Sequence, residues 1–240
     1  MSVLFRTPKT VHKLDRSDVP DGSRLSATWI GHATVPLQMD DVFILTDPIL
    51  TETIGGSSKR IVEVGMDIQR ILPLTAVLIS HRHMDHLSPA SHKLLGGRVS
   101  SVIVPSGVKT DLPTTTFSVT ELQAWQVRES SGLGIVVPVI HDGGRFVGDA
   151  RSHPDSFAGY LIEYHGMKVY FPGVTAYRAD ILSNAFTRFG PIDLAIMPIC
   201  PIVPAEEMLP HHMNPEQAIE VANLLHASAM LPIHFETFVN

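Results

Sequence analysis

The sequence predicts an α/β fold, because apolar runs of strand length alternate with segments that carry helix-start signals. Two helix starts are marked by a capping side chain followed by proline, and glycine or aspartate turns separate many of the apolar runs. The 240 residues are 44% hydrophobic and 18% charged, which is sufficient for one substantial core. We therefore predict a single domain over residues 1–240 with α/β layering.

The first structured part of the chain reads as an antiparallel meander. Residues 26–30, 35–39 and 42–46 are short apolar segments, and the pair Asp40-Asp41 supplies a turn between the last two. Residues 1–24 are polar and contain turn-forming prolines and a glycine, so we expect a loosely packed N-terminal arm.

Strand and helix then alternate. Residues 76–80 form an apolar strand, and Ser88 followed by Pro89 starts a helix that Gly96-Gly97 ends before a strand at 101–105. Asn214 followed by Pro215 starts another helix, which runs to about Leu225. The remaining predicted elements are a helix at 177–189 and strands at 123–127, 134–140, 157–162, 168–171, 194–198 and 230–233.

Four candidate metal ligands lie within six residues, in the run His81-Arg82-His83-Met84-Asp85-His86. Alternate residues of an extended chain point the same way, so His81 and His83 can reach one cation, and the bend toward the helix makes Asp85 and His86 available to another. Imidazole and carboxylate are ligands that zinc accepts. The sequence therefore predicts a metal site on a strand-to-helix loop.

Three further residues lie where strands end. His32 and Asp47 are ordinary loop residues on one interpretation and hydrogen-bond partners of the metal ligands on the other. His141 follows the strand at 134–140 beside a glycine turn, and its position alone fits a structural histidine as well as a ligand. The histidines outside any such pattern are expected at the solvated surface: His12, His92, His153, His165 and His226.

Charge and hydropathy exclude several classes of function. The net charge of -6 and scattered basic residues argue against a nucleic-acid partner. The N-terminus has no apolar stretch of signal-peptide length and no segment has the ~20 apolar residues of a membrane span, so we expect a cytoplasmic protein. The single Cys200 cannot form an internal disulfide.

The metal motif resembles that of the metallo-β-lactamase superfamily. Other segments resemble the branch of N-acylphosphatidylethanolamine-hydrolysing phospholipase D, with L-ascorbate-6-phosphate lactonase as a more distant relative. The similar segments extend from about residue 26 to 238, and they are 28–34 (TWIGHAT), 45–48 (LTDP), 188–193 (RFGPID), 212–216 (HMNPE) and 233–235 (IHF).

The resemblance implies a four-layer αββα sandwich with one or two zinc ions at the sheet edges, Mn²⁺ or Fe²⁺ being alternatives. It assigns His81, His83 and His141 to the first metal. To the second metal it assigns Asp85, His86 and His234.

This chain departs from the family pattern at Val174, where relatives have an aspartate that bridges both metals. Because valine cannot ligate, repulsion between two cations is less compensated and the second site is expected to be weakened. The chain also stops at Asn240, where relatives generally continue, so a shortened C-terminus is expected.

The function implied by the resemblance is hydrolysis of a lipid-type phosphodiester by a metal-bound hydroxide. Asp85 would orient the hydroxide and His212 would protonate the leaving oxygen or stabilise the developing charge. Residues 51–72, with Met208 and Leu209, would admit an acyl chain, which leaves peripheral membrane contact open. A lactone is the alternative substrate, and a catalytically silent metal-binding protein is the alternative outside the hydrolases.

Overall fold

The computed structural model describes residues 7–54, 58–114, 116–130, 133–136, 156–178 and 190–238. Its strands are β1 (Leu25–Ala27), β2 (Pro36–Met39), β3 (Val42–Thr46), β4 (Thr53–Ile54), β5 (Ser58–Lys59), β6 (Ala76–Leu78), β7 (Ser101–Pro105), β8 (Ser118–Leu122), β9 (Val127–Ser130), β10 (Leu133–Val136), β11 (Tyr160–Tyr164), β12 (Met167–Phe171), β13 (Leu194–Pro198) and β14 (Ala229–Ile233). The α-helices are α1 (Pro89–Leu95), α2 (Ala205–Met208) and α3 (Pro215–Leu224).

Twelve of these strands form two six-stranded mixed sheets, and β4 and β5 pair with each other. The first sheet has the order β1-β2-β3-β6-β7-β8, and the second has the order β14-β13-β12-β11-β10-β9. Strands β1 to β3 are antiparallel, which confirms the predicted meander, whereas β3, β6, β7 and β8 run parallel. In the second sheet β9 to β12 are antiparallel, and β12, β13 and β14 are parallel.

Three apolar clusters define the layers. The central cluster joins the inner faces of the two sheets, with Leu37 and Ile44 from the first and Val169 and Ile196 from the second. A second cluster lies on the outer face of the first sheet and includes Leu95 of α1. A third packs the buried face of α3 on the second sheet and includes Ala218, Val221 and Ala222. This is the predicted αββα sandwich, and each sheet buries both faces.

The two predicted helix starts are confirmed. The Ser88 hydroxyl accepts a hydrogen bond from the backbone N–H of Ser91 (3.2 Å), with Pro89 in the first turn. At α3, Asn214 and Gln217 form a reciprocal capping box, in which each side chain accepts from the other residue's backbone N–H (2.8 and 3.0 Å). Local side-chain chemistry therefore fixes where both helices begin.

One predicted strand is wrong. Residues 123–126 form a turn between β8 and β9, in which the N–H of Gln126 donates to the carbonyl of Gln123 (3.0 Å), and only Val127 of the predicted segment belongs to a strand. Trp125 has φ +66° and a partly exposed ring, so the apolar pattern that favoured a strand marks no core face here. Residues 137–140 and 179–189, which complete the predicted strand and helix, lie outside the described residues.

The expected N-terminal arm is anchored over part of its length. The N–H of Lys9 donates to the carbonyl of Ile61 (2.9 Å), and that of Leu14 donates to the carbonyl of Gly65 (2.7 Å). Residues 9–14 therefore run alongside residues 61–66. Within the described residues, we find no helix long and apolar enough to cross a bilayer.

His92 corrects another prediction, because it is buried rather than solvated. It lies in α1, its ring is 5.8 Å from that of Phe117, and it is 0% exposed. Neither ring nitrogen has a hydrogen-bond partner among the described residues. Burial lowers the pKa of His92 to about 4.

Candidate metal centre

Residues 79–88, which we call the metal loop, connect the carboxyl end of β6 to α1 and contain the run from His81 to His86. The N–H of Ser80 donates to Asp47 Oδ1 (2.7 Å), and the carbonyl of Ser80 accepts from the N–H of Ala158, which precedes β11 of the second sheet (2.6 Å). The N–H of His86 donates to the carbonyl of His83 (3.0 Å), which closes the loop before α1. The loop joins a strand to a helix, as predicted, and it is held by residues next to both sheets.

Four donor atoms from three distant parts of the chain converge beside this loop. They are Nε2 of His32, Oδ2 of Asp85, Nε2 of His86 and Nε2 of His234, and we call them the four-donor cluster. His32 Nε2 is 3.0 Å from Asp85 Oδ2, and His86 Nε2 is 3.0 Å from His234 Nε2. Asp85 Oδ2 is also 3.5 Å from His86 Nε2 and 3.8 Å from His234 Nε2. All four lie within 4.8 Å of one another.

Two of the three ligands predicted for the first metal, His81 and His83, belong to the described residues. His81 Nε2 is 2.9 Å from His83 Nδ1, and the His81 ring centroid is 4.1 Å from that of His86. His81 Nδ1 is 2.8 Å from the hydroxyl of Ser80. His141 lies outside the described residues, so its assignment as a ligand stays a prediction.

Asp47 contacts a predicted ligand directly. Its Oδ2 is 2.7 Å from His86 Nδ1, with both side chains buried, and the same oxygen accepts from the hydroxyl of Ser80 (2.5 Å). A carboxylate in this position keeps the imidazole proton on Nδ1 and turns the Nε2 lone pair toward the cluster. Of the two interpretations open for Asp47, the structure supports the hydrogen-bond partner of a ligand.

Burial and charge act in opposite directions on the cluster. Burial lowers the pKa of His32 and of His234, so both imidazoles favour the neutral form. Burial also acts on His86, but the carboxylates of Asp85 and Asp47 outweigh it and raise its pKa. Burial opposes ionisation of Asp85 as well, yet His86 and the hydrogen bond to His32 hold its pKa well below the usual range. Of the four groups, His32 and His234 therefore favour the neutral form and Asp85 the ionised form, whereas the carboxylates beside His86 favour its protonation.

His212, which the family resemblance places across the site, lies beside His234. Its ring centroid is 6.2 Å from that of His234, and its Nδ1 is 3.1 Å from the carbonyl of Met208. Since a carbonyl only accepts, Nδ1 carries the hydrogen, and burial lowers the pKa of His212. In the neutral state its Nε2 bears a lone pair, which suits accepting a proton better than donating one.

The loop after β12 closes against the residue that precedes His81. Gly173 has φ +68°, and a Cβ built on it would be 2.2 Å from Ser80 Cβ, so only glycine fits this approach. Val174 follows, is 2% exposed, and offers no donor atom.

Arg60 is a buried residue behind the site that the sequence did not single out. Its Nε donates to the carbonyl of Thr51 (3.0 Å), its Nη2 donates to that of Ile49, and its Cζ lies 5.2 Å from the ring centroid of Phe238. Burial lowers the pKa of Arg60 to about 10. A Cβ on Gly31 would be 2.7 Å from Arg60 Nη1, which explains a glycine there. No short sequence pattern predicts the contact between Arg60 and Gly31.

Arg82 faces away from the metal ligands, as the alternation of the loop predicts. Its Nε and Nη2 are 2.9 and 2.7 Å from Asp111 Oδ2, and both side chains are buried. The ion pair ties the metal loop to the turn after β7.

The residues of the four-donor cluster fit a divalent cation of intermediate softness, such as zinc. The donor set is imidazole and carboxylate, and Asp47 orients one of the imidazoles toward the shared space. An αββα sandwich whose strand ends gather such a cluster defines a metallohydrolase-type scaffold.

The family follows from comparison with known proteins. Residues 43–235 match the family model described as the Beta-lactamase superfamily domain, and the chain belongs to this family. N-acyl-phosphatidylethanolamine-hydrolyzing phospholipase D 1 of Caenorhabditis elegans is 29% identical over 95% of this chain and 68% of its own length. The mitochondrial N-acyl-phosphatidylethanolamine-hydrolyzing phospholipase D of Saccharomyces cerevisiae is also 29% identical, over 88% of this chain. The chain spans only 47% of that yeast relative.

The fold is shared with solved structures at lower identity. A possible metal-dependent hydrolase from Veillonella parvula superposes with a TM-score of 0.68 at 20% identity, covering 90% of this chain and 87% of that one. The predicted resemblance and the predicted fold class are thereby confirmed.

Proposed function

We propose that the protein is a metal-dependent phosphodiesterase that acts on a lipid-type phosphodiester. The convergence of His32, Asp85, His86 and His234 beside His81 and His83 is the observation that carries the proposal. The names of the two phospholipase D relatives, each 29% identical to this chain, support the phosphodiester class.

The proposed metal is zinc, in one or two ions. His81, His83 and the predicted His141 would hold the first, while Asp85, His86 and His234 would contribute to the second. A divalent cation bound by such ligands acts as a Lewis acid on a phosphoryl oxygen and lowers the pKa of coordinated water. Support for nitrogen-rich coordination comes from burial, which keeps His32 and His234 neutral.

The chain's own residues have distinct proposed roles. Asp85 has a side chain about one-third exposed (32%), so one carboxylate oxygen can hold a proton-bearing nucleophile while the other faces the imidazoles. His212 would accept a hydrogen bond or proton at Nε2, because its Nδ1 is committed to the carbonyl of Met208. This role differs from the first of the two roles that the resemblance implies, in which His212 protonates the leaving oxygen.

An apolar rim supports a lipid substrate. Val203 is 80% exposed on the loop that leads into α2 and His212. Met208 and Leu209 at the end of α2 are half-buried. A side chain as exposed as Val203, in the segment that precedes His212 along the chain, suits contact with an acyl chain or a membrane surface.

The proposal is tested with the purified protein and three substrates: bis-p-nitrophenyl phosphate, N-acyl-phosphatidylethanolamine in vesicles, and a simple lactone. We expect turnover of both phosphodiesters, loss with a chelator, and recovery with Zn²⁺. Lactone turnover without phosphodiester turnover would overturn the substrate class.

Two further measurements sharpen this test. Val203→Ser should slow the vesicle reaction and leave bis-p-nitrophenyl phosphate unaffected, whereas the matched control Val127→Ser, at an exposed valine (47%) on β9, should change neither. Val174, which contributes no donor, favours a second candidate, a silent binding protein. Elemental analysis that found bound metal in a protein inactive on all three substrates would support that candidate, and near-zero metal would end the metal-dependent proposal.

A further inference from the structure

We propose that His32 is itself a metal ligand, through Nε2, and that it completes a four-coordinate site with Asp85, His86 and His234. The inference deepens the proposed function and rests on the same metal centre. The ligand sets expected from the sequence left His32 out, as either a loop residue or a partner of ligands.

The spacing of the donor atoms matches one small cation. Ligands about 2.0–2.1 Å from a tetrahedral zinc ion lie about 3.3–3.4 Å from each other. In the four-donor cluster the separations are 3.0 Å from His32 to Asp85, 3.0 Å from His86 to His234, and 3.5 and 3.8 Å from Asp85 to His86 and His234. These four values scatter around the tetrahedral separation, and the other two, from His32 Nε2 to the Nε2 atoms of His86 and His234, are no more than 4.8 Å.

The backbone of His32 is fixed to the segment that carries His234. The His32 carbonyl accepts from the N–H of His234 (2.8 Å) and from Trp29 Nε1 (2.7 Å), and the His32 N–H donates to Thr237 Oγ1 (2.6 Å). His32 adopts φ +56°, a conformation that a non-glycine residue keeps only where its surroundings impose it. A position held this firmly suits a ligand better than a mobile loop side chain.

The ring of His32 is also confined. It is 7% exposed, its centroid is 4.1 Å from that of His234, and the Phe238 ring packs edge-on at 5.4 Å. Since an imidazole in this space loses little further rotamer freedom on coordination, the entropic cost of binding a cation there is small.

Coordination by His32 would give the two metals different roles. Four protein ligands close a tetrahedral site, which is the pattern of structural zinc, whereas three ligands leave a position for water. The four-donor cluster would therefore hold a structural cation. The site built on His81 and His83 would be the one that keeps an open position.

The test measures metal binding directly, so it needs no substrate. We load the wild-type protein and two variants, His32→Ala and His32→Gln, with Zn²⁺ or Co²⁺ and then dialyse them. Each protein is analysed for metal per chain and for the visible Co²⁺ spectrum. His226→Asn is the matched control, because His226 is exposed and has φ +47°, which asparagine tolerates. We expect both His32 variants to lose one site by at least tenfold in affinity and to lose the intense bands of four-coordinate Co²⁺, while the control keeps both.

His32→Gln separates coordination from hydrogen bonding, since its amide can still donate to Asp85 but is a poor ligand for zinc. Wild-type metal content and Co²⁺ spectrum in His32→Gln would overturn the proposal and leave His32 as an orienting residue. If His32→Ala does not fold, the glutamine variant and the Co²⁺ titration of the wild type decide the question alone; a wild-type spectrum without four-coordinate bands would also overturn it. Neither failure bears on phosphodiester turnover, which is assayed separately.

Discussion

Replacing the buried His92 should remove part of the acid sensitivity of the fold. His92 is 0% exposed, neither ring nitrogen has a hydrogen-bond partner in the described part of the chain, and burial lowers its pKa to about 4 from 6.5 for an ordinary histidine. Because this pKa is lowered in the folded state, the unfolded chain binds the proton more readily. The contribution of neutral His92 is complete above about pH 6.5 and is lost as the pH falls toward about 4.

The magnitude follows from the size of this shift. A difference of about 2.5 pKa units corresponds to about 3 kcal/mol, and linkage places about 2 kcal/mol of it between pH 7 and pH 5. For a domain of this size that loss lowers Tm by roughly 4–8 °C. Because wild type and variant share every other titratable group, the difference between them isolates His92.

The assay is urea unfolding of wild type and His92→Leu at several values of pH, with metal-free protein. Leucine is of similar size and cannot be protonated, so the difference in the free energy of unfolding between the two proteins should move by about 2 kcal/mol in favour of the variant from pH 7 to 5. His226→Asn, at an exposed histidine, should show no such trend. A difference between wild type and His92→Leu that stays constant across this range would refute the burial argument.

Three further substitutions test the site and its support. Val174→Asp places a carboxylate where a buried valine now lies, so we expect lower stability without metal and more bound metal per chain, measured by elemental analysis; unchanged metal content would contradict the charge argument. Asp47→Asn removes the carboxylate that holds His86 Nδ1 and should weaken metal affinity about 10–100-fold in a chelator competition, and an unaltered affinity would remove Asp47 from the site. Gly31→Ala should cost about 2–4 kcal/mol in urea unfolding because its Cβ would meet Arg60 and its φ is +122°, whereas Gly97→Ala, with open space around it, should stay within about 1 kcal/mol.

The sequence predicted the elements whose signals are local. Ser88 and Asn214 act on backbone groups within three residues, so both helix starts could be read directly. The strands β3, β7 and β13 agree with their predicted limits for the same reason, because their apolar runs are bounded by turn residues. The predicted strand at 123–127 was wrong because a short apolar pattern does not show whether a core lies beneath it.

The same difference between local signals and long-range contacts applies to the candidate site. The run from His81 to His86 by itself determined that a strand-to-helix loop presents several ligands on one segment, since four donors in six residues must share a neighbourhood. Only the tertiary structure decided that His32 faces Asp85, that Asp47 holds His86, and that His234 closes the cluster. Those pairs are separated by 53, 39 and 148 positions along the chain, and no local rule sets such distances. The burial of His92 was decided in the same way, because its exposure depends on the sheet against which α1 packs.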